Sequence, residues 1–210
     1  MKNWIYTFNN PNIFTCNVYV LIFEDTTILI DAWYYDWELK SFLNDKNVDA
    51  ILLTHWHWDH IREVDRIKND FPDAKVYIHK DDIQMLKDTS LNCSFLVWTK
   101  EIIINSEIEK LEEWNTKIND IEISVFHTPW HTYWWVMYYF KKQNALFTWD
   151  TVMWNSIWTL ATPTWNEKLM IDSLKKFKNL PIEKSTITYP WHWEPMIYEE
   201  ILKNNLFLRQ

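Results

Sequence analysis

Glycine is absent from this chain of 210 residues, and tryptophan occurs 16 times. About 15 glycines would be usual at this length. A fold with many turns needs residues that enter positive φ, where glycine meets no steric penalty and a tryptophan does. The tryptophans sit where turns call for glycine, in Ala32-Trp33-Tyr34, Pro129-Trp130-His131, Thr148-Trp149-Asp150 and Pro190-Trp191-His192-Trp193. We read most of them as glycines of the natural protein, from a lineage in which UGA codes for glycine. UGG codons at these positions would refute that reading, and a deliberate replacement of glycine by tryptophan is the alternative.

The rest of the composition is that of a folded globular chain, with 48% hydrophobic and 24% charged residues, so disorder is excluded. The 21 Lys and Arg stand against 29 Asp and Glu, a formal net charge of -8, which argues against nucleic acid as a partner. Only Cys16 and Cys93 occur, in a chain too long to need disulfide staples, so we expect a reducing, cytoplasmic setting. Residues Met1 to Asn10 lack the pattern of a secretory signal. The apolar stretch Phe14 to Phe23 is broken by Thr15 and Asn17 and is too short for a membrane span, so no membrane partner is expected.

Alternation of β-branched and aromatic residues predicts strands at Lys2 to Phe8, Asn17 to Phe23 and Thr26 to Asp31, and a buried strand at Asp49 to Thr54. Leu39, Phe42 and Leu43 predict a helix over Asp36 to Asp45. Ile61, Val64 and Ile67 predict another over Asp59 to Asn69. A strand at Lys75 to His79 and a helix at Lys80 to Lys87 follow, and a strand is expected at Glu101 to Asn105. The second half predicts strands at Ile121 to His127, Val136 to Lys141, Ala145 to Trp149 and Thr186 to Tyr189, with helices at Glu167 to Asn179 and Glu194 to Asn204. This order fits an α/β fold with two sheets face to face and helices outside. No linker divides the halves, so one domain over 1-210 is expected.

The chemistry concentrates in Thr54-His55-Trp56-His57-Trp58-Asp59-His60, with four candidate metal ligands in six positions. Residues two apart on extended backbone share a side, so His55 and His57 can reach one ion. Asp59 and His60 fall at the predicted helix start, point elsewhere, and favour a second ion close by. Imidazole and carboxylate suit zinc, and iron and manganese accept them too. The bland alternatives are a helix N-cap for Asp59 and a satisfied polar residue for a lone histidine. Pro129-Trp130-His131, Trp149-Asp150-Thr151 and Pro190-Trp191-His192 supply further ligands beside turns at strand ends, where sites are commonly built.

These four segments in this order resemble the metallo-β-lactamase superfamily, and specifically its short glyoxalase-II-like hydrolases. HxHxDH matches His55, His57, Asp59 and His60; PGHT matches Pro129 to Thr132; GDT matches Trp149 to Thr151; PGHG matches Pro190 to Trp193. The resemblance implies the four-layer αββα sandwich of two mixed β-sheets flanked by helices. It implies two divalent metal ions, one on His55, His57 and His131, the other on Asp59, His60 and His192, with Asp150 bridging. The chain departs from the family where glycine is printed as Trp130, Trp149 and Trp191, and a real indole there would crowd the cleft. About 18 residues follow His192, so the C-terminal helical region with which classical glyoxalase II grips glutathione is expected to be absent.

Two divalent cations about 3.5–4 Å apart lower the pKa of a shared water toward neutrality, so the implied nucleophile is hydroxide, with Asp59 as the catalytic residue that orients it. A thioester is the expected substrate, because a thiolate leaves without strong acid assistance. Lactone or β-lactam hydrolysis uses the same site. A mononuclear iron persulfide dioxygenase would instead bind one iron and consume oxygen, and real tryptophans filling the pocket would leave a metal-stabilised binding module. Two readings stand for Asp31, orienting a metal-bound imidazole or capping a turn, and two for Tyr133, lining the pocket or packing. His79 and His127 are expected to be structural or to support a ligand from behind, rather than to be ligands.

Overall fold

The computed structural model describes residues 4–9, 17–96, 101–112, 114–149, 152, 155–157 and 164–209. The chain divides into two compact units, Met1–Leu111 and Glu112–Gln210, each built on one mixed six-stranded sheet flanked by helices.

In the first unit the strands follow chain order: β1 (Ile5–Phe8), β2 (Val18–Ile22), β3 (Thr27–Ile30), β4 (Ala50–Leu52), β5 (Lys75–His79) and β6 (Ile108–Leu111). β1, β2 and β3 pair antiparallel, whereas β3 to β6 pair parallel. Val18–Leu21, Thr27–Ile30 and Ala50–Leu52 are buried throughout, as expected of strands covered on both faces. Helix α1 (Trp37–Leu43) starts at Asp36, whose carboxylate accepts from the backbone N–H of Glu38 and Leu39. It buries Leu39 and Leu43 and sets Phe42 against Tyr6 and Phe8, with ring centroids 4.7 and 5.0 Å apart.

The helix expected over Asp59 to Asn69 is two pieces, α2 (Trp58–Ile61) and α3 (Val64–Asp70), because Glu63 lies outside helical geometry at φ -102, ψ 5. The side chain of Glu63 is buried between Arg62 and Arg66, and its N–H is drawn to Ala32 O at 2.7 Å. Lys80–Lys87 is a 3₁₀ helix rather than an α-helix. The strand expected at Glu101 to Asn105 is irregular. Asn105 and Ser106 instead donate to the Asp65 carboxylate, and the strand of this region is β6.

The second unit orders its sheet β12-β11-β10-β9-β8-β7. These strands are β7 (Trp114–Ile118), β8 (Ile121–His127), β9 (Val136–Phe140), β10 (Ala145–Phe147), β11 (Ile187–Tyr189) and β12 (Met196–Ile197). All neighbours are antiparallel except β10 and β11. Helices α4 (Glu167–Lys178) and α5 (Tyr198–Asn204) bring Leu174, Phe177, Tyr198 and Ile201 onto Met137, Tyr139 and Leu146 of the sheet. Each such large apolar side chain contributes about 1.5–3 kcal/mol on full burial. The helix expected from Glu194 starts only at Tyr198, because Met196 and Ile197 pair with β11. Among the described residues no helix is long and apolar enough to cross a membrane.

Candidate metal centre

The chain leaves β4 at Leu52 and runs through Leu53 and Thr54 into His55, Trp56 and His57, all buried. His57 holds extended geometry, φ -66 and ψ 148, as the residue before α2. That extended stretch carries His55 and His57 to the same side, with His55 Nε2 and His57 Nδ1 3.1 Å apart. Two nitrogens on one tetrahedral ion would sit roughly 3.3 Å apart for metal–nitrogen bonds of about 2.0–2.1 Å. Burial pushes the His57 pKa down to about 3, so its imidazole is neutral and its lone pair available across the physiological range.

His60, on α2, is also buried, with its ring centroid 3.9 Å from that of His55. Its Nδ1 lies 2.5 Å from Asp31 Oδ2. Asp31 follows β3 in the left-handed region at φ 58, a conformation Asp tolerates better than most residues. Its N–H reaches Leu52 O at 2.9 Å, and its carboxylate accepts from Thr54 N and Thr54 Oγ1, each at 2.8 Å. Ala32 N also donates to His60 O at 2.7 Å. One aspartate therefore ties the ends of β3 and β4 to α2 and sets the tautomer of His60.

Thr54 has no chemistry of its own in the sequence pattern, yet its hydroxyl contacts both Asp31 and, at 3.1 Å, His55 Nδ1. Its place directly before the first histidine of the motif was the available signal.

Asp59 does not cap α2; His57 holds the capping position, and its side chain turns to His55 rather than to the helix N–H groups. Asp59 is half-buried as a residue, with its carboxyl turned inward, and burial raises its pKa to about 7. Cys93 is held as an inert thiol: burial, and then the nearby Asp59 charge, raises its pKa to about 11. His79 Nδ1 accepts from Asp81 N at 3.4 Å.

In the second unit His131 is buried on the turn between β8 and β9, with its ring 4.9 Å from Trp135. His127 stacks on Trp134 and donates through Nε2 to Tyr133 O at 2.8 Å. Tyr133 itself is exposed. His192 is buried on the turn between β11 and β12, its ring 4.5 Å from that of Trp191. Asp150 and Thr151 lie outside the described residues.

The tryptophans printed for family glycines are sterically marked. Trp130, Trp149 and Trp191 are buried, and Trp149 and Trp193 hold positive φ at 49 and 82. Trp130 Nε1 is buried with no hydrogen-bond partner among the described residues, a cost that a glycine would not carry.

Both sheets, their flanking helices and the histidine-bearing turns define a class. The chain belongs to the metallo-β-lactamase superfamily, which residues 11–185 match, and it is a metallo-hydrolase with that family's fold. A crystal structure of the BLEG-1 B3 metallo-beta-lactamase is similar at TM-score 0.88 and 28% identity, over 98% of this chain and 100% of that chain. The probable metallo-hydrolase YqgX of Bacillus subtilis is 26% identical over 179 residues, 84% of each protein. A hydroxyacylglutathione hydrolase of Pelagibacter ubique is 30% identical over 149 residues, 70% of this chain and 54% of that protein. This chain therefore spans about half of that last relative.

Proposed function

We propose that the chain is a glyoxalase-II-like thioesterase acting on small-molecule thioesters or esters with two divalent metal ions, zinc foremost and iron or manganese as alternatives. His55, His57 and His131 would hold one ion, and Asp59, His60 and His192 the other. Asp150 would bridge them. The observation that carries this reading is the histidine cluster at the end of β4: His55 Nε2 and His57 Nδ1 lie 3.1 Å apart, and the ring of His60 lies 3.9 Å from that of His55. A borderline cation is the partner that such closely grouped buried imidazoles suit.

Bound divalent ions supply the Lewis acidity that brings water toward a neutral pKa and polarises a carbonyl. The chain's own part is to place and tune the groups around them. Burial keeps His57 neutral, and Asp31 fixes the ring of His60, the arrangement that raises ligand basicity. We assign Asp59 to orienting the attacking water and taking its proton. Cys93, held as a thiol, is unsuited to serve as nucleophile. A thioester suits this reading, since a thiolate departs without strong acid assistance. The similarity to the hydroxyacylglutathione hydrolase supports the same substrate class.

The test is metal content and hydrolysis of S-lactoylglutathione and simple thioesters, on the chain as printed and on a version with glycine at the motif tryptophans. Two ions per chain and thioester turnover in the glycine version are expected. Two ions with no thioester turnover in either version would sink the substrate reading. The similarity to a B3 metallo-beta-lactamase favours β-lactam hydrolysis as the second reading, and a chromogenic cephalosporin in the same assay separates the two.

A further inference from the structure

The turn Pro129-Trp130-His131 presents three consecutive backbone carbonyls, and each is taken by a group from the segment that leads into and along α4. Ser173 Oγ donates to Pro129 O at 2.7 Å, Asn166 N to Trp130 O at 2.9 Å, and Thr164 Oγ1 to His131 O at 2.8 Å. Thr164 and Ser173 are both buried, where an unmade hydrogen bond leaves the full desolvation penalty. Asn166 also caps α4, its Oδ1 accepting from Leu169 N at 3.0 Å, so the residue that starts the helix also holds the turn. The turn is closed on itself as well, by Trp130 N to Thr132 O at 3.0 Å and Thr128 N to Trp135 O at 2.7 Å.

Pinning successive carbonyls fixes the peptide planes on either side of them, and with these the direction in which the His131 side chain leaves the backbone. Three bonds on three residues exceed what a surface turn needs to stay closed, and α4 is anchored in turn by Leu174 and Phe177 in the core. We propose that Thr164 and Ser173 are positioning residues that hold the His131 imidazole in place for its metal ion, so that metal affinity is set in part from α4. This rests on the reading of His131 as a ligand.

Zinc alone, titrated into the metal-free full chain against a chromophoric chelator, tests it. Thr164→Val and Ser173→Ala should each bind zinc about 10–100-fold more weakly, the range typical of partners behind a ligand, and Thr164→Ser should restore binding. Tyr198→Phe is the structural control, because it removes a buried bond to Phe177 O at the far end of α4. Thermal melts of the metal-free proteins should fall no further for the two turn variants than for this control. Wild-type affinity in both turn variants, or weakening no greater than in Tyr198→Phe, overturns the inference. If Thr164→Val does not fold, Ser173→Ala decides on the same criterion. His131→Ala separates the two levels. Unchanged zinc affinity there defeats the ligand reading and the inference with it, whereas weakening there but not in the turn variants defeats the inference alone.

Discussion

Asp31 Oδ2 lies 2.5 Å from His60 Nδ1, with both side chains buried. Asp31→Asn is a clean probe of this contact, because Asn tolerates the left-handed backbone at φ 58 and keeps an amide oxygen for Thr54. It loses the charge that polarises the imidazole. Zinc affinity or turnover should fall about 10–100-fold, with little change in the far-ultraviolet circular dichroism. Wild-type behaviour on both counts would leave Asp31 a turn residue and nothing more.

Burial holds the carboxyl of Asp82 well above the ordinary carboxylate range. The folded state therefore binds this proton more tightly than the unfolded chain does. The associated stability is complete below the unfolded value of about 3.9 and is lost as pH rises through the folded value. Asp82→Asn cannot ionise, so its melting temperature should decline less with rising pH and exceed that of wild type at about pH 8. Melting curves that run parallel from acid to alkaline pH would contradict this.

Trp114 holds φ 105 and is 76% exposed, so it bears left-handed strain with little burial in return. Trp114→Gly should stabilise the chain by roughly 1–3 kcal/mol, the scale of such strain, read as a higher midpoint in urea. The same exchange at Trp193, φ 82 and 67% exposed, should act in the same direction. No gain at either position would count against glycine as the residue these backbone positions were shaped for.

Stripping divalent ions with a chelator should lower the melting temperature, and zinc should restore it. At free zinc about 100 times Kd, binding to the folded chain contributes about 2.7 kcal/mol. Identical melts with and without zinc would mean that the histidines hold no ion.

Local pattern carried much of this fold. The strands Lys75–His79 and Ile121–His127 and the helix around Leu39 and Leu43 follow from side-chain periodicity, which belongs to the chain whatever surrounds it. The two-residue spacing of His55 and His57 likewise needs only extended backbone to bring their nitrogens together. Other features are settled by partners distant in sequence. Glu63 breaks a continuous helical pattern because Ala32 and two arginines claim its polar groups. Residues 101–105 forgo pairing because Ser94 Oγ, Leu86 O and the Asp65 carboxylate take the N–H groups of Ile102, Ile104 and Asn105, and Met196 and Ile197 extend because β11 offers an open edge. The hydroxyls of Thr54, Thr164 and Ser173 acquire their roles the same way. A hydroxyl in a sequence does not say which carbonyl or carboxylate it will meet, and only the packed chain brings that acceptor within 3 Å.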